Sequence, residues 1–372
     1  MNRFGFIAHP IDLKTFYGHL GLLGKLMKHL PENISRELAA SLPPRRLTSY
    51  NKIRSLKGAV SGEIVTLPLL PIQIASLREE KVLDLIEKGI DLCVKKGAQI
   101  VGLGGFTSVV GNGGEVLSKR VSVPLTSGNT FTASLALDGI YKAAYIMGLP
   151  LSNSAAAIIG ATGDIGSICT KILSKKLRKL NIAARNEQKL QEFANAIRLY
   201  GNAEVEVFKY TQDAVRNADI ILSATSAVTT IIGPANLKSG AIVCDVAIPP
   251  NIAKEVALSR NDILVFEGGL AKLPYPNDII NETVLNILPK NSVYGCIAET
   301  MTLALEGRLE AYSIGRGNIT EEKLTEIKLI ASRHGIVVAD FFCGYKTFTE
   351  KDIEDIRKNA ERNKERVYAA QG

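Results

Sequence analysis

The middle third of the chain alternates short apolar runs with longer stretches of helical periodicity. Short apolar runs bounded by turn residues predict buried strands, whereas apolar residues recurring every three or four positions predict helices. The predicted elements are strand 155–160, helix 164–177, strand 179–184, helix 187–200, strand 204–208, helix 211–217 and strands 219–223, 241–246 and 263–266. Strands that alternate with helices at this spacing predict an α/β fold with a doubly wound (Rossmann) parallel sheet.

A glycine motif follows the first of these strands. Strand 155–160 ends at Gly160, and Gly163 and Gly166 follow at three-residue intervals, where a helical pattern begins. In this context the turn lets backbone N–H groups approach a pyrophosphate, and the helix N-terminus adds partial positive charge. We therefore expect a bound dinucleotide. The residues expected to contact it are Gly160, Thr162, Gly163, Asp164, Ile165 and Gly166, with Ala224 and Thr225 after strand 219–223.

The end of the second strand indicates which dinucleotide is bound. Strand 179–184 is followed by Arg185 and Asn186. An NAD site usually has Asp or Glu about 20 residues beyond the glycines, where its carboxylate accepts from the ribose 2′-hydroxyl. The guanidinium of Arg185 suits a 2′-phosphate instead, so Arg185 and Asn186 favour NADPH as the cofactor. The alternative is that Arg185 is a solvated residue at a strand end.

The chain on either side of this region follows other patterns. The N-terminal part mixes strand-like runs with helical stretches and predicts an α/β substrate domain. The part after residue 292 has mainly helical periodicity, at 296–310, 320–334 and 350–368. We therefore predict three parts: a substrate (acyl) domain over 1–150, an NADP-binding Rossmann domain over 151–291 and a helical C-terminal region over 292–372.

Composition narrows the class of protein. No apolar stretch reaches the roughly 18 residues that a membrane-spanning helix needs, and the N-terminus has no apolar core typical of a signal peptide. The five cysteines are scattered, odd in number and without CxxC pairs, so we expect reduced thiols, no metal site and a cytoplasmic protein.

The net charge of +8 indicates an acidic partner or an ordinary basic surface. Nucleic acid is the least favoured partner because no basic patch interleaved with aromatic residues occurs. The oligomeric state stays open.

Cys296 is the strongest candidate for a nucleophile. It directly precedes a helical run that begins at Ile297. Because the dipole and free N–H groups of a helix N-terminus favour a thiolate, we expect the pKa of this thiol to be lowered. A thiolate is the nucleophilic form of cysteine. The alternative is a cysteine that only fills space in the core.

Several sequence blocks together resemble one enzyme family, the long-chain acyl-[acyl-carrier-protein] reductases. The resemblance runs through most of the chain, and the order and approximate spacing of the blocks also fit. The matching blocks are Phe4–His9, Leu103–Ser108, Thr126–Ala133, Gly160–Ser167, Ala184–Asn186, Cys296–Glu299, Leu305–Gly307 and Gly315–Arg316.

The resemblance implies an NADPH-dependent enzyme that reduces a long-chain acyl thioester to a fatty aldehyde. It implies that Cys296 accepts the acyl group from an acidic acyl carrier protein or from acyl-CoA. The oxyanion formed in both steps needs fixed donors. We expect Ser108, Asn129 and Thr130 to belong to the catalytic site, although turn and capping roles explain them equally well. For His9 and Glu299 we favour a structural role over proton transfer.

The chain also departs from the family pattern. Phe131 stands where the family has a histidine, which places any catalytic role of that histidine in doubt. Residues 10–75 match weakly and carry a cluster of basic residues, so chain-length and carrier preference transfer least. Two other readings stay open: a shikimate- or amino-acid-type dehydrogenase, and a non-catalytic NADPH-sensing module. Against the dehydrogenase, the chain lacks a lysine in an Asn-x-Thr-x-Pro-type loop.

Overall fold

The chain folds into two compact units, neither of them continuous in sequence. The computed structural model describes residues 1–227, 232–252, 254–276, 288–344 and 346–371. Unit 1 consists of Met1–Thr132 and Ala271–Val337, and unit 2 consists of Ala133–Leu270 and Val338–Gly372. This division differs from the three consecutive regions expected from the sequence, because the segment after 292 is shared between the units. Helical periodicity shows which residues a helix buries but not which sheet they cover.

Unit 1 is built on a five-stranded mixed sheet. Its strands are β1 (Arg3–Ala8), β2 (Arg45–Arg54), β3 (Ala59–Thr66), β4 (Ile100–Leu103) and β5 (Leu125–Thr126), in the order β2-β3-β1-β4-β5. Strands β2 and β3 pair antiparallel, and the other pairs are parallel. The β2–β3 hairpin has no counterpart among the predicted elements. Its strand β2 is rich in charged and polar residues and mostly exposed, so it lacks the apolar run that predicts a strand.

The helices of unit 1 surround this sheet. In the N-terminal segment they are α1 (Leu13–Leu20), α2 (Leu22–Met27), α3 (Glu32–Ala39), α4 (Pro71–Ser76), α5 (Glu79–Lys95), a 3₁₀ turn (Gly105–Ser108), α6 (Val110–Gly113) and α7 (Glu115–Arg120). Helix α8 (Asn129–Ile146) begins in unit 1 and continues in unit 2. The apolar residues from Leu13 to Leu30 have helical periodicity, which predicts one helix, but the structure has two, α1 and α2, because Gly21 adopts a positive φ of 59° between them.

Unit 2 contains the predicted Rossmann sheet. Its six parallel strands are β6 (Ala155–Ile159), β7 (Lys179–Ala183), β8 (Glu204–Phe208), β9 (Ile220–Ser223), β10 (Ile242–Asp245) and β11 (Leu264–Glu267). They lie in the order β11-β10-β9-β6-β7-β8, which is the 3-2-1-4-5-6 order of dinucleotide-binding sheets. The fold-class prediction is therefore confirmed. The order in which strands are added to the sheet reverses between β6 and β9: β7 and β8 extend it on one side, and β10 and β11 on the other. Ligands of such sheets bind at this reversal point, beyond the carboxyl ends of the strands.

The remaining elements complete the two units. Unit 2 has helices α9 (Asp164–Ser174), α10 (Glu187–Tyr200), α11 (Thr211–Val215) and α12 (Lys254–Ser259), with 3₁₀ turns at Leu151–Asn153 and Pro234–Asn236. Later in the chain come β12 (Leu270–Lys272), β13 (Ser292–Tyr294), α13 (Gly295–Glu306), α14 (Glu321–Arg333), β14 (Val337–Val338), β15 (Phe342–Cys343), β16 (Lys346–Thr347) and α15 (Glu350–Gln371). Helices α13 and α14 belong to unit 1, and α15 belongs to unit 2. Across the described residues, none of the helices is long and apolar enough to cross a membrane.

Candidate functional site

The glycine turn of unit 2 lies at the reversal point of the sheet. Gly160 follows β6 with a φ of 84°, and a Cβ added to it would lie 2.6 Å from the carbonyl oxygen of Ala224, the residue after β9. A Cβ on Gly166 would lie 2.2 Å from the carbonyl oxygen of Gly160. Neither position can therefore hold a side chain without moving the backbone. Gly163 is the N-cap of α9 and has no side chain to cap the first-turn N–H groups.

The predicted cofactor residues come together at this edge. Thr162, Asp164 and Ile165 are half-buried in the turn and the first turn of α9, and Thr225 follows Ala224 beyond β9. Backbone N–H groups at a helix N-terminus and a close glycine backbone are the features that bind a pyrophosphate. The turn thus has the close backbone packing that the motif predicts, since a side chain at Gly160 or Gly166 would overlap backbone atoms. Binding of a pyrophosphate by these residues stays a prediction.

Arg185 lies at the same edge, directly beyond β7. Its side chain is exposed, and its guanidinium donates a hydrogen bond of 3.3 Å to the hydroxyl of Ser226, beyond β9. The neighbouring Asn186 is the N-cap of α10, and its side-chain oxygen accepts from the N–H of Lys189 at 2.8 Å. The Asn186 oxygen therefore has a structural role, and Arg185 and Ser226 are polar groups of the described residues that could face a 2′-phosphate.

Two carboxyl groups lie side by side beyond β10 and β11. Asp245 and Glu267 are register partners at the ends of these strands. Asp245 accepts from the backbone N–H groups of Ala247, Asn251 and Ile252, which holds the loop after β10. Burial raises the pKa of Asp245 to about 6 and that of Glu267 to about 7. Both carboxyls therefore titrate closer to neutral pH than an ordinary Asp or Glu side chain does.

Cys296 of unit 1 is the second residue of α13, and its side chain is half-buried. The backbone N–H groups of Cys296, Ile297 and Gly105 lower the pKa of its thiol. Gly128 packs directly against it: at a φ of 73°, a Cβ on Gly128 would lie 2.2 Å from the Cys296 Cα and 2.4 Å from its Cβ. The structure therefore places Cys296 where the sequence predicts, at a helix N-terminus among backbone donors, and covers it with a residue that must be glycine.

The acidity of this thiol differs from the expectation. Burial raises the pKa of Cys296 to about 12, and the nearby Glu299 also raises it, whereas the three N–H donors lower it. The prediction of a lowered pKa was wrong for this state of the protein. Desolvation disfavours the thiolate more than the helix terminus stabilises it. Cys296 is consequently a thiol at neutral pH until something accepts its proton.

Glu299, one turn after Cys296, holds the loop that contains Gly128. Its carboxylate is fully buried and accepts from the hydroxyl of Thr126, the N–H of Phe131 at 2.7 Å and the hydroxyl of Ser313 at 2.8 Å. Burial raises its pKa, and these donors oppose that effect. With its hydrogen-bonding capacity used in this way, Glu299 connects α13 to the 126–131 loop, the structural role favoured from the sequence.

The hydroxyl groups expected at the catalytic site are engaged locally. Ser108 donates to the carbonyl of Gly105 at 2.7 Å, inside the 3₁₀ turn. Thr130 is fully buried and shares a hydrogen bond with the hydroxyl of Ser313. Asn129 is half-buried at the start of α8, and the bond described for it is from its backbone N–H to the Ser127 hydroxyl at 3.4 Å. The Asn129 amide is therefore better placed than either hydroxyl to serve a ligand.

His9 holds the turn beside Cys296. Its Nε2 accepts from the N–H of Phe106 at 3.0 Å, so its Nδ1 carries the proton and donates to the carbonyl of Pro10 at 3.0 Å. Burial lowers its pKa, which keeps the ring neutral. Phe131, in place of the family histidine, is 2 % exposed, and its ring belongs to the core. Neither position supplies a free base in this structure.

Three residues of these sites were not identified from the sequence. Gly128 lies within the matching block Thr126–Ala133, but its contact with Cys296 joins residues that are far apart in the chain. Ser313 adopts a left-handed φ of 55°, and its carbonyl accepts from Ser127 while its hydroxyl reaches Glu299. Ser226 is identified by the hydrogen bond that its hydroxyl accepts from Arg185. A serine in a loop carries no local signal of such contacts, because they depend on chain crossings that the sequence does not show.

Comparisons with known proteins find similarity to a dehydrogenase family, an aminotransferase and a reductase. Residues 142–266, within unit 2, match the family of shikimate / quinate 5-dehydrogenases. The chain is 30 % identical over 90 % of its length to aminotransferase PigE from Serratia sp., of which it spans 39 %. It is 28 % identical over 80 % of its length to the long-chain acyl-[acyl-carrier-protein] reductase from Synechococcus elongatus, of which it covers 89 %.

Solved structures add a looser likeness. Shikimate 5-dehydrogenase from Listeria monocytogenes, solved with shikimate and NAD, is 10 % identical, with 88 % of this chain and 96 % of that one covered. The superposition of the two chains has a TM-score of 0.37, which is too low to support an inference about function. The chain is thus related to an acyl-carrier-protein reductase, and its unit 2 to a dehydrogenase family. Together with the glycine turn, these relationships support an oxidoreductase with NADP(H) as its cofactor.

Proposed function

We propose that this protein is an NADPH-dependent reductase that converts a long-chain acyl thioester into a fatty aldehyde through an acyl-enzyme on Cys296. The observation that carries the proposal is the setting of Cys296: a half-buried thiol at the start of α13, among the N–H groups of Gly105 and Ile297 and beneath Gly128. The similarity to the Synechococcus reductase, which spans both units, favours a thioester as the substrate.

In the first step the sulfur of Cys296 attacks the thioester carbonyl carbon. A new carbon–sulfur bond forms, the bond to the carrier's sulfur breaks, and the carrier leaves as a thiol that takes up the proton lost by Cys296. Because the pKa of Cys296 is raised, this proton must leave as the sulfur attacks, rather than before it. The sulfur of the leaving carrier can accept that proton. His9 is not free to accept it, because both of its ring nitrogens already make hydrogen bonds.

The tetrahedral oxyanion requires donors that are already oriented. We assign this role to the Asn129 amide and to the backbone N–H groups around Cys296. Ser108 and Thr130, whose hydroxyls bond within unit 1, are assigned as positioning residues for the 3₁₀ turn and for the start of α8. Gly128 lets its loop lie directly against Cys296, since a side chain there would overlap the Cα and Cβ of Cys296.

The cofactor would be held by the glycine turn and by Arg185. Gly160 and Gly166 let the turn pack closely on backbone at the start of α9, whose N–H groups would bind a pyrophosphate, and the exposed Arg185 guanidinium is suited to a 2′-phosphate. When bound, NADPH supplies the hydride that reduces the acyl group. Cleavage of the bond to Cys296 would then release the aldehyde, and the sulfur would take up a proton from water to restore the thiol. The donor proposed is acyl carrier protein, with acyl-CoA as the alternative.

The decisive experiment is the intact mass of the protein after mixing with acyl carrier protein or CoA thioesters, without NADPH. We expect one acyl adduct on the wild type, none on Cys296→Ser, and an unchanged adduct on Cys343→Ser. Cys343 is the matched control because it is the other half-buried thiol. No adduct on the wild type with either donor, together with hydride transfer from NADPH to a keto acid or from a hydroxy acid to NADP+, would replace the proposal with a shikimate-type dehydrogenase.

The cofactor assignment has its own test. Loss of a charge-assisted hydrogen bond costs about 1.5–3 kcal/mol, so we expect Arg185→Asp to weaken NADPH binding roughly ten- to hundredfold. NADH binding should change much less. Arg216→Asp is the matched control, because Arg216 is exposed and precedes β9, at the opposite edge of the sheet. Equal losses of NADPH and NADH affinity would contradict the 2′-phosphate assignment.

A further inference from the structure

Helices α2 and α3 of unit 1 expose an unusual number of aliphatic side chains. Leu22 and Leu26, one turn apart on α2, are 78 % and 67 % exposed, and Ile34 and Leu38 occupy the same spacing on α3. We call this set the outer face. Its members are Leu22, Leu23, Leu26, Leu30, Ile34 and Leu38. Six exposed aliphatic residues within 17 positions form more than the scattered single residues that ordinary surfaces carry.

The outer face has no place in the core of unit 1, because the opposite sides of the same helices already fill it. Met27 of α2 and Ala39 of α3 are buried in a cluster with Phe16 and Leu20 of α1. The hydroxyl of Ser35 donates to the carbonyl of Met27 and joins α3 to α2. The helices are thus packed on their inner side, and the leucines face away from it.

Positive charge is concentrated in the same part of the chain. Residues 13–57 contain nine Lys or Arg and two Glu, a net charge of +7 out of the +8 of the whole chain. Lys25 and Lys28 are exposed on and just after α2, beside Leu26. An apolar helix face flanked by lysines is the pattern of a helix that lies in the interface of a membrane.

We propose that the outer face binds the surface of an anionic lipid bilayer. The leucines would enter the boundary between headgroups and acyl chains, and the basic residues would attract anionic headgroups. A lipid surface fits better than a protein, because protein interfaces rely on aromatic anchors. Helices α2 and α3 contain no aromatic residue, and the two of the neighbouring α1, Phe16 and Tyr17, pack in the inner cluster.

The test is co-sedimentation of the full chain with vesicles, without an acyl donor or NADPH, so that it stands apart from the proposed reductase activity. We expect binding to vesicles of phosphatidylglycerol and phosphatidylcholine, little binding to phosphatidylcholine alone, and loss of binding at high salt. Leu22→Gln with Leu26→Gln should weaken binding about tenfold or more, as should Lys25→Gln with Lys28→Gln, since each lysine contributes roughly a fivefold factor.

Matched controls separate these effects from unfolding and from nonspecific charge. Leu199→Gln removes a leucine that is 91 % exposed in unit 2, and Lys95→Gln with Lys96→Gln removes two exposed lysines elsewhere in unit 1. Both should bind vesicles like the wild type, and all variants should keep its thermal unfolding midpoint. The proposal fails if anionic vesicles are not bound, or if the outer-face variants bind them normally. It also fails if those variants instead abolish a dimer or the binding of acyl carrier protein while vesicle binding persists.

Discussion

Gly128→Ala tests how tightly the 126–131 loop covers Cys296. At the φ of 73° observed, an alanine incurs about 1–2 kcal/mol of left-handed strain. Its Cβ would also lie 2.2 Å from the Cα and 3.0 Å from the carbonyl carbon of Cys296, which are backbone atoms that cannot rotate away. Overpacking of this kind adds about 1–3 kcal/mol. We therefore expect the free energy of unfolding to fall by about 2–5 kcal/mol, the sum of these two costs.

The same substitution should slow acylation. Relief of the overlap requires Cys296 or the 126–131 loop to move by about an ångström, a displacement that can cost roughly a hundredfold in rate. Urea unfolding followed by circular dichroism measures the first effect, and the rate at which the acyl adduct appears measures the second. The NADPH affinity of the variant serves as an internal check, because Gly128 belongs to unit 1.

Gly148→Ala is the matched control. Gly148 also has a positive φ, of 68°, but nothing lies within 4 Å of a Cβ built on it. The free energy of unfolding of this variant should fall only by the left-handed strain of about 1–2 kcal/mol, and the variant should be acylated at the wild-type rate. If both variants lost the same free energy of unfolding and Gly128→Ala acylated normally, the close packing over Cys296 would be refuted.

Three further predictions follow from the pKa shifts and the buried polar groups. Because the pKa of Cys296 is about 12, its alkylation by iodoacetamide, followed by peptide mapping, should rise about tenfold per pH unit from pH 7 to 10; a plateau below pH 9 would contradict this. Glu299→Gln puts an amide donor against the donors of Thr126 and Phe131 and should cost about 1–3 kcal/mol in urea unfolding, whereas unchanged stability would mean that the carboxylate is not needed there. The raised pKa of Glu267, about 7, means that the folded state favours its protonated form, so its contribution to stability is present below pH 4.5 and is lost as the pH rises to 7. Wild-type protein should therefore lose about 3 kcal/mol relative to Glu267→Gln across this range, and parallel pH curves would rule the shift out.

Much of unit 2 could be predicted from the sequence because its signals are local. Strand β6, the turn at Gly160 and helix α9 follow one another in the chain, and their glycines and apolar positions lie within a few residues of each other. The predicted helix 187–200 and strand 204–208 agree with α10 and β8 at both ends. By contrast, strand β2 was missed, since it is held by pairing with β3 rather than by an apolar pattern of its own.

The surroundings of Cys296 could be predicted in part. The apolar periodicity after Cys296 is local, so a helix that starts at this point follows from the sequence. Three features depend on the fold: Gly128 covers Cys296, Glu299 and Ser313 hold that loop, and the pKa of the thiol is raised. A helix N-terminus acts over one turn, whereas desolvation depends on every segment packed around the sulfur. Those segments come from separate parts of the chain, and their meeting is a property of the fold.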